Sequence, residues 1–408
     1  MVGANARRWP PFLAAFAFPS YRRLWTGAFL SSIGNWIQDV ALAWIIHTRF
    51  GDPLYLGLRQ FSSDAPLLAF MLVGGAVADR VDRRLILLTS QVLQMSLAVV
   101  LGVLWVTGHL GIEAILLVAF TTGLAQSQSA PTYQAVLTSV VPKDHIPNAV
   151  ALNSLQFNLS RAVGPVIAGA LLVRGGTTAC FSVNALSFVA VIIAIWRITI
   201  PPHAAAPTES LAKSLGTGLR HVMNSPILST LTLLGAVGSF LAFPLITYLP
   251  VFAGDVLGTG VIGYSQLLAS YGCGAIVGAV TTAHRGNQPG RGRRLLLAMI
   301  VYGAVTAGAM SCRNQYAAMA LLVLSGISMV TAFSTLNSLV QENAPDALKG
   351  RILSIYGLAF RGGLPLGALL AGVLVRPLGA PLVIGAFSVM VALLAAITLA
   401  SNARIREL

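Results

Sequence analysis

Charged residues are scarce in this chain of 408 residues, since Asp, Glu, Lys and Arg make up only 9% of it, whereas 56% of its residues are hydrophobic. Soluble domains are about one quarter charged and about half apolar. The composition therefore excludes an ordinary water-soluble globular protein. The apolar residues also fall in runs of about 20, the length that crosses a bilayer as a helix. The sequence predicts an integral membrane protein.

Acidic residues are the scarcest charged class, because 12 Asp and Glu face 26 Lys and Arg and leave a net charge of +14. A nucleic-acid-binding surface would concentrate the basic residues, but here they are spread thinly over many short loops. Most of them fall in the segments on one side of the predicted spans. This positive-inside bias predicts that both termini are cytoplasmic, and we expect no nucleic-acid partner.

Cysteines are also few, and the common catalytic motifs are missing from the sequence. The three cysteines have no C-x-x-C spacing, and the sequence contains no H-E-x-x-H, G-x-S-x-G or P-loop motif. We therefore expect no metal, no cofactor and no enzyme activity. The missing P-loop also disfavours an ATP-driven pump.

The apolar runs predict an all-α membrane protein with twelve transmembrane helices, separated by short polar breaks. The predicted spans are 24–47, 54–78, 85–106, 112–130, 148–173, 177–196, 227–251, 260–283, 295–311, 316–340, 351–375 and 379–400.

The second half of the chain repeats features of the first half. The segment Arg161-Ala-Val-Gly-Pro165 in span 5 matches Arg361-Gly-Gly-Leu-Pro365 in span 11. The repeat predicts two pseudo-symmetric six-helix bundles, residues 1–200 and 226–408. In transporters built from such repeats, the solute site lies between the two halves at mid-membrane. Residues 201–225 form the predicted cytoplasmic linker. Apolar residues at helical spacing between 211 and 222 favour a short helix at the membrane surface, and a plain loop is the alternative.

Spans 2 and 3 are joined by a short, highly charged loop, Gly75-Ala-Val-Ala-Asp79-Arg80-Val-Asp82-Arg83-Arg84. Charged side chains are costly against hydrocarbon, so this loop marks a point where the chain leaves the membrane. The equivalent segment of the second half, from His284 to Arg294, keeps the positive charge but has no acid. We interpret the first loop as a single conformational latch.

Ionisable residues inside spans are functional candidates because they are expensive to bury there. Asp39 in span 1 is interpreted either as a reversible proton carrier or as a permanently ionised partner of an arginine. Arg161 stays charged, and our hypothesis pairs it with Asp39. Asp64 in span 2 is a candidate gate partner or second proton site, and Arg361 is expected either to face the solute cavity or to hold backbone carbonyls.

Polar, aromatic and helix-bending residues complete the candidate sites. Asn35 and Gln38 share a helical face with Asp39. The candidate cavity residues are Asn35, Trp36, Gln38, Tyr248, Tyr271 and Arg361. Gly164, Pro165 and Pro365 are expected either to bend their helices during transport or to serve tight packing.

The charged loop has the spacing G-x-x-x-D-R-x-x-R-R and resembles the signature loop of the major facilitator superfamily. Together with Tyr21-Arg-Arg-Leu-Trp25 and Lys349-Gly-Arg351, it is similar to the branch that contains the bacterial enterobactin exporter and macrolide efflux proteins. The resemblance implies alternating access and proton-driven export of a drug-, macrolide- or siderophore-like solute. It also implies a multi-pass protein of the bacterial inner membrane, which we expect to be monomeric.

The same resemblance places the latch acid Asp79 at the cytoplasmic start of span 11, near Gly350 and Arg351. Arg80, Arg83 and Arg84 complete this latch, with Arg83 bracing neighbouring helix ends. An uptake symporter or a lipid flippase is the alternative within transport. A non-transporting membrane sensor is the alternative outside it.

Overall fold

A computed structural model describes residues 9–78, 81–200, 211–286 and 288–408, which fold almost entirely into helices. The main helices of the first part are α1 Pro19–Ile45, α2 Leu54–Ala78, α3 Arg83–Val106, α4 Ile112–Ser139, α5 Ile146–Arg174 and α6 Gly176–Arg197. Those of the second part are α7 Leu211–Asn224, α8 Pro226–Ala242, α9 Pro244–Val251, α10 Gly260–Arg285, α11 Arg291–Ser311, α12 Gln315–Asn343, α13 Lys349–Leu378, α14 Ala380–Ser401 and α15 Ala403–Arg406.

The chain divides into two compact units. Unit 1 contains Met1–Ala41 and Ala69–Pro207, and unit 2 contains Leu42–Leu68 and Thr208–Leu408. The outer hairpin, which we define as residues 42–68, therefore belongs to unit 2 although it joins α1 to α2. The boundaries 1–200 and 226–408 that the repeat suggests stay a prediction.

Unit 1 is held together by close contacts between α1, α5 and α6. A Cβ atom on Gly34 of α1 would lie 2.6 Å from the Asn184 Oδ1 atom of α6, and one on Gly27 would lie 2.8 Å from the Cβ atom of Ala194. Glycine is needed at both positions because any side chain would push α1 away from α6. Small residues are the usual means of close helix approach in membranes.

In unit 2, glycines also allow a close helix contact, here between α10 and α12. A Cβ atom on Gly274 would lie 2.0 Å from the Val323 carbonyl oxygen, and one on Gly278 would lie 2.6 Å from the Ile327 carbonyl oxygen. The spacing of Gly274 and Gly278 is the small-residue pattern expected for a helix contact. This face of α10 therefore packs closely against α12.

Ten helical segments in the described part of the chain are long and apolar enough to cross a membrane. Two other predicted spans correspond to the long helices α2 and α4, which are not among those ten. The helical membrane architecture is thereby supported, and the count of twelve spans in two bundles stays a prediction.

Two local features differ from the expected plain spans. Predicted span 7 is broken between α8 and α9 at Phe243, and span 1 ends in a π-helical turn over Ile46–Phe50 that stops at Gly51 with a φ of 70°. The predicted helix in the linker is confirmed as α7, and residues 201–210 of the linker lie outside the described part.

Candidate functional site

The polar face of α1 is fixed to α6 in unit 1. Asn35, Gln38 and Asp39 are all half-buried on α1. The Gln38 side-chain oxygen accepts a hydrogen bond from the Asn184 amide at 2.9 Å, and Asn184 is buried. This amide pair sets the rotation of α1 one residue away from Asp39. Sequence reasoning missed Asn184, because the two residues lie 146 positions apart.

An arginine of α5 lies against another side of α1. The guanidinium carbon of Arg161, on α5, lies 5.8 Å from the centre of the Trp36 ring, within the range of a cation–π contact. Gly164 makes this approach feasible, because a Cβ atom there would lie 2.4 Å from the Trp36 Cβ atom. Trp36 and Asp39 are one helical turn apart. The structure thus brings Arg161, Gly164 and Trp36 together next to Asp39, and the pairing of Asp39 with Arg161 stays a prediction.

The break between α8 and α9 follows from Pro244. Proline has no backbone N–H and its ring disturbs the preceding turn. The Ile246 N–H donates to the Phe243 carbonyl at 3.1 Å, instead of to Ala242 as in a regular α-helix. The Tyr302 hydroxyl, from α11, donates to the Ala242 carbonyl at 2.8 Å. A side chain thereby satisfies an acceptor that the break would otherwise leave without its helical donor.

Aromatic rings from α12 and α13 pack around Phe243 at this break. Phe243 lies 5.9 Å from the ring centre of Phe333 on α12 and 5.8 Å from that of Phe360 on α13. Tyr356 stacks on Phe360 at 6.0 Å. We call these four residues the aromatic cluster. Sequence reasoning missed Phe333, Tyr356 and Phe360; the spacing of Tyr356 and Phe360, four apart on one helix face, is the signal that could have found the last two.

Arg361 directly follows the aromatic cluster on α13. Its side chain is exposed in the middle of this 30-residue helix. Among the described residues no acidic side chain forms a salt bridge with it. The preceding carbonyl, that of Phe360, accepts a hydrogen bond from the Ser239 hydroxyl at 2.7 Å, which ties this turn of α13 to α8. The guanidinium is therefore held on an anchored turn and open to a ligand.

Tyr248 and Tyr271, the two predicted cavity tyrosines, are both only 1% exposed. The Tyr248 hydroxyl donates to the Ala368 carbonyl at 2.8 Å. In this conformation Tyr248 packs as a core residue between α9 and α13. The contribution of either tyrosine to a solute cavity stays a prediction.

The outer hairpin packs on the rest of unit 2 through a glycine, an imidazole–carboxylate contact and one Arg–Asp ion pair. A Cβ atom on Gly57 would lie 2.6 Å from the Ala368 carbonyl oxygen. At the end of the hairpin, His47 Nε2 lies 3.5 Å from Asp255 Oδ1, and Arg376 Nε lies 3.6 Å from Asp52 Oδ2. Sequence reasoning missed both pairs. No local pattern marks them, because their members are far apart in the chain.

Three more of the predicted site residues, Asp64, Pro165 and Pro365, lie on α2, α5 and α13. Within α2, the Gln60 amide donates to Asp64 Oδ2 at 2.7 Å. Pro165 and Pro365 are buried in helices that continue through them.

The predicted latch is described only in part. Gly75 lies near the end of α2, and Asp79 and Arg80 lie outside the described residues. Asp82 caps α3 by accepting from the Arg84 N–H at 2.7 Å, and the Arg84 guanidinium donates to the Ile198 carbonyl. Arg83 is half-buried. These contacts tie the start of α3 to the end of α6.

The other predicted side of the latch lies in unit 2, where α7 crosses the start of α13. A Cβ atom on Gly218 of α7 would lie 3.1 Å from the Arg351 Cβ atom. The amphipathic helix α7 therefore covers the turn that carries Arg351. Its role in a latch stays a prediction.

Comparison with known proteins places these features in a family. Residues 11–408 match the sequence profile of a family described as transmembrane secretion effectors, within the major facilitator superfamily. The chain is 26% identical to the staphyloferrin A transporter of Staphylococcus aureus over 90% of its length and 91% of that protein. It is also 26% identical to the multidrug efflux pump Tap of Mycolicibacterium fortuitum, over 92% and 91% of the two chains.

One further relative and one solved structure are also similar to this chain. The enterobactin exporter EntS of Escherichia coli O1:K1 is 23% identical over 87% of this chain and 85% of its own. Among solved structures, the nucleoside transporter NupG has the same fold with a TM-score of 0.74 at 14% identity, covering 94% of this chain and 98% of its own.

Proposed function

Because the chain belongs to the transmembrane secretion effector family of the major facilitator superfamily, we propose that it exports a hydrophobic or amphipathic organic solute by proton-driven antiport. The family and its structural neighbours are transporters and not enzymes, and the resemblance to this superfamily in the sequence is confirmed. The direction of transport, the coupling ion and the class of solute are our proposal.

The observation that carries the solute class is the position of Arg361 beside the aromatic cluster. An exposed guanidinium in an apolar helix is costly unless it meets water or an anionic group. The adjoining rings offer apolar and stacking surface. Together they suit a solute that combines a carboxylate or other acidic oxygen with aromatic or aliphatic parts. Siderophore-like and acidic drug-like compounds have this combination.

Proton coupling is assigned to Asp39. It lies on α1 one residue from Gln38, which is hydrogen-bonded to Asn184, and one helical turn from Trp36, which lies under Arg161. A carboxylate near a cation stays ionised more readily, while burial favours the neutral acid. Asp39 can alternate between these forms if the surroundings of Arg161 change during the cycle. Asp64 is a second candidate for a proton site.

The proposed setting is the bacterial inner membrane, with a monomer whose termini are cytoplasmic. The positive-inside bias supports this orientation. The loop from Gly75 to Arg84 is proposed as the cytoplasmic latch, acting with Arg351. In support, Asp82 caps α3 and Arg84 ties the start of α3 to the end of α6.

The test is transport by the purified protein in proteoliposomes. With an acidic lumen and a neutral outside, an antiporter should accumulate solute as protons leave, and a protonophore should abolish the accumulation. A panel of siderophores, macrolides and dyes would identify the solute class. Accumulation only when the outside is acidic would instead indicate a proton symporter, and lipid transfer without solute flux would indicate a flippase.

A further inference from the structure

A groove between α10, α11 and α12 combines a cationic end with an apolar floor. It has a volume of about 490 Å³. Arg285, Arg293 and Arg294 lie at one end, where α10 ends and α11 begins, and Leu297, Val301 and Ile327 supply most of the large apolar lining. The hydroxyl-bearing residues Thr281, Thr282, Ser328 and Thr331 line the groove as well. This groove lies within unit 2 and contains none of the residues assigned to transport above.

The arginines of the groove differ from their neighbour Arg291. Arg291 forms a salt bridge with Glu342 of α12, which neutralises it. Arg285 and Arg293 are exposed, and within the described part of the chain neither forms a salt bridge. Arg294 donates to the Gln288 carbonyl at 3.2 Å, a neutral acceptor. Two of the three arginines at this end of the groove therefore form no salt bridge within the described part of the chain, and the Leu408 backbone oxygen lies near this end, accepting from the Arg291 N–H at 3.2 Å.

The apolar part of the groove runs along the helix away from that charge. Arg293, Leu297 and Val301 are spaced four residues apart on α11, so they share one face and extend over about 12 Å. Leu297 is 42% exposed and Val301 is 45% exposed. A charged end followed by an open apolar face has the shape and polarity of a phospholipid.

We propose that this groove binds an anionic glycerophospholipid, with its phosphate at Arg285 and Arg293 and an acyl chain along Leu297 and Val301. Charge complementarity selects an anionic headgroup, and basic pockets at helix ends commonly bind such lipids. A free phosphate would use only the charged end of the groove. A lipid uses both ends. The arginine end is also the one that the positive-inside bias predicts to be cytoplasmic, and the proposal does not depend on the direction of transport.

Native mass spectrometry of the purified full-length protein, titrated with phosphatidylglycerol or phosphatidylcholine, tests this proposal. We expect tighter binding of phosphatidylglycerol to the wild type. The double variant Arg285→Gln/Arg293→Gln should weaken that binding about tenfold or more and leave phosphatidylcholine binding unchanged. The matched control is Arg404→Gln/Arg406→Gln, which removes the same charge from exposed positions of α15 outside the groove. It should bind phosphatidylglycerol like the wild type.

Three outcomes would overturn the proposal. The first is equal binding of the two lipids by the wild type, a result that needs no variant to fold. The second is an equal loss of phosphatidylglycerol binding in the groove variant and the control, which would show an effect of net charge. The third is displacement of phosphatidylglycerol by inorganic phosphate at millimolar concentration, which would indicate a site for a free anion.

Discussion

The Arg161 guanidinium lies over the Trp36 ring, with its central carbon 5.8 Å from the ring centre. This contact joins α5 to α1 one helical turn from Asp39. It places a permanent cation on the Trp36 side of α1, one helical turn from the carboxyl group that we assign to proton coupling.

The close approach of α5 to α1 depends on Gly164. The variant Gly164→Ala would place a Cβ atom 2.4 Å from that of Trp36, and we expect it to lower the free energy of unfolding by about 1–3 kcal/mol. Denaturant unfolding in detergent measures this. Gly385→Ala is the matched control, because nothing lies within 4 Å of a Cβ atom there. An equal effect of the two substitutions would show that the contact is not tight.

The helix break at Phe243 depends on the Tyr302 hydroxyl. Tyr302→Phe removes the donor to the Ala242 carbonyl, and a buried acceptor without a partner costs about 1–3 kcal/mol. We expect a lower unfolding temperature than for Tyr316→Phe, whose side chain is 78% exposed. If the two variants unfold alike, the tyrosine does not stabilise the break.

The outer hairpin is held by packing more than by charge. Gly57→Ala would bring a Cβ atom to 2.6 Å from the Ala368 carbonyl oxygen, and we expect a cost of about 1–3 kcal/mol. The Asp52–Arg376 pair should contribute less than about 1 kcal/mol, because the Arg376 side chain is 69% exposed. A double-mutant cycle with Asp52→Asn and Arg376→Gln measures the pair. A coupling energy above the cost of Gly57→Ala would contradict this ranking.

Arg361 is predicted to bind solute without stabilising the fold. Its side chain is exposed, so Arg361→Gln should leave the unfolding temperature of the free protein unchanged. Ligand binding raises apparent stability, so the thermal shift with a transported acidic solute should fall in Arg361→Gln and be partly kept in Arg361→Lys. The control Arg313→Gln, a substitution in a short loop, should keep the full shift. A full shift in Arg361→Gln would exclude this role.

The sequence was sufficient to predict much of this structure, because spans and their ends depend on local composition. The helix α7 could be predicted from apolar spacing, and the close contact at Gly274 and Gly278 from the small-residue pattern. The orientation of Tyr248 could not, since burial depends on which helices surround it. The partner of Gln38 was equally inaccessible, because a hydrogen bond between residues 146 positions apart leaves no local pattern.

Proton coupling at Asp39 is the central claim, and Asp39→Asn tests it most directly. Asparagine has nearly the same shape but cannot carry a proton. In proteoliposomes with an imposed pH gradient, we expect Asp39→Asn to lose accumulation of solute while keeping solute exchange without a gradient and its unfolding temperature. Asp39→Glu should restore part of the accumulation. Unchanged dependence of transport on the pH gradient in Asp39→Asn would contradict the account.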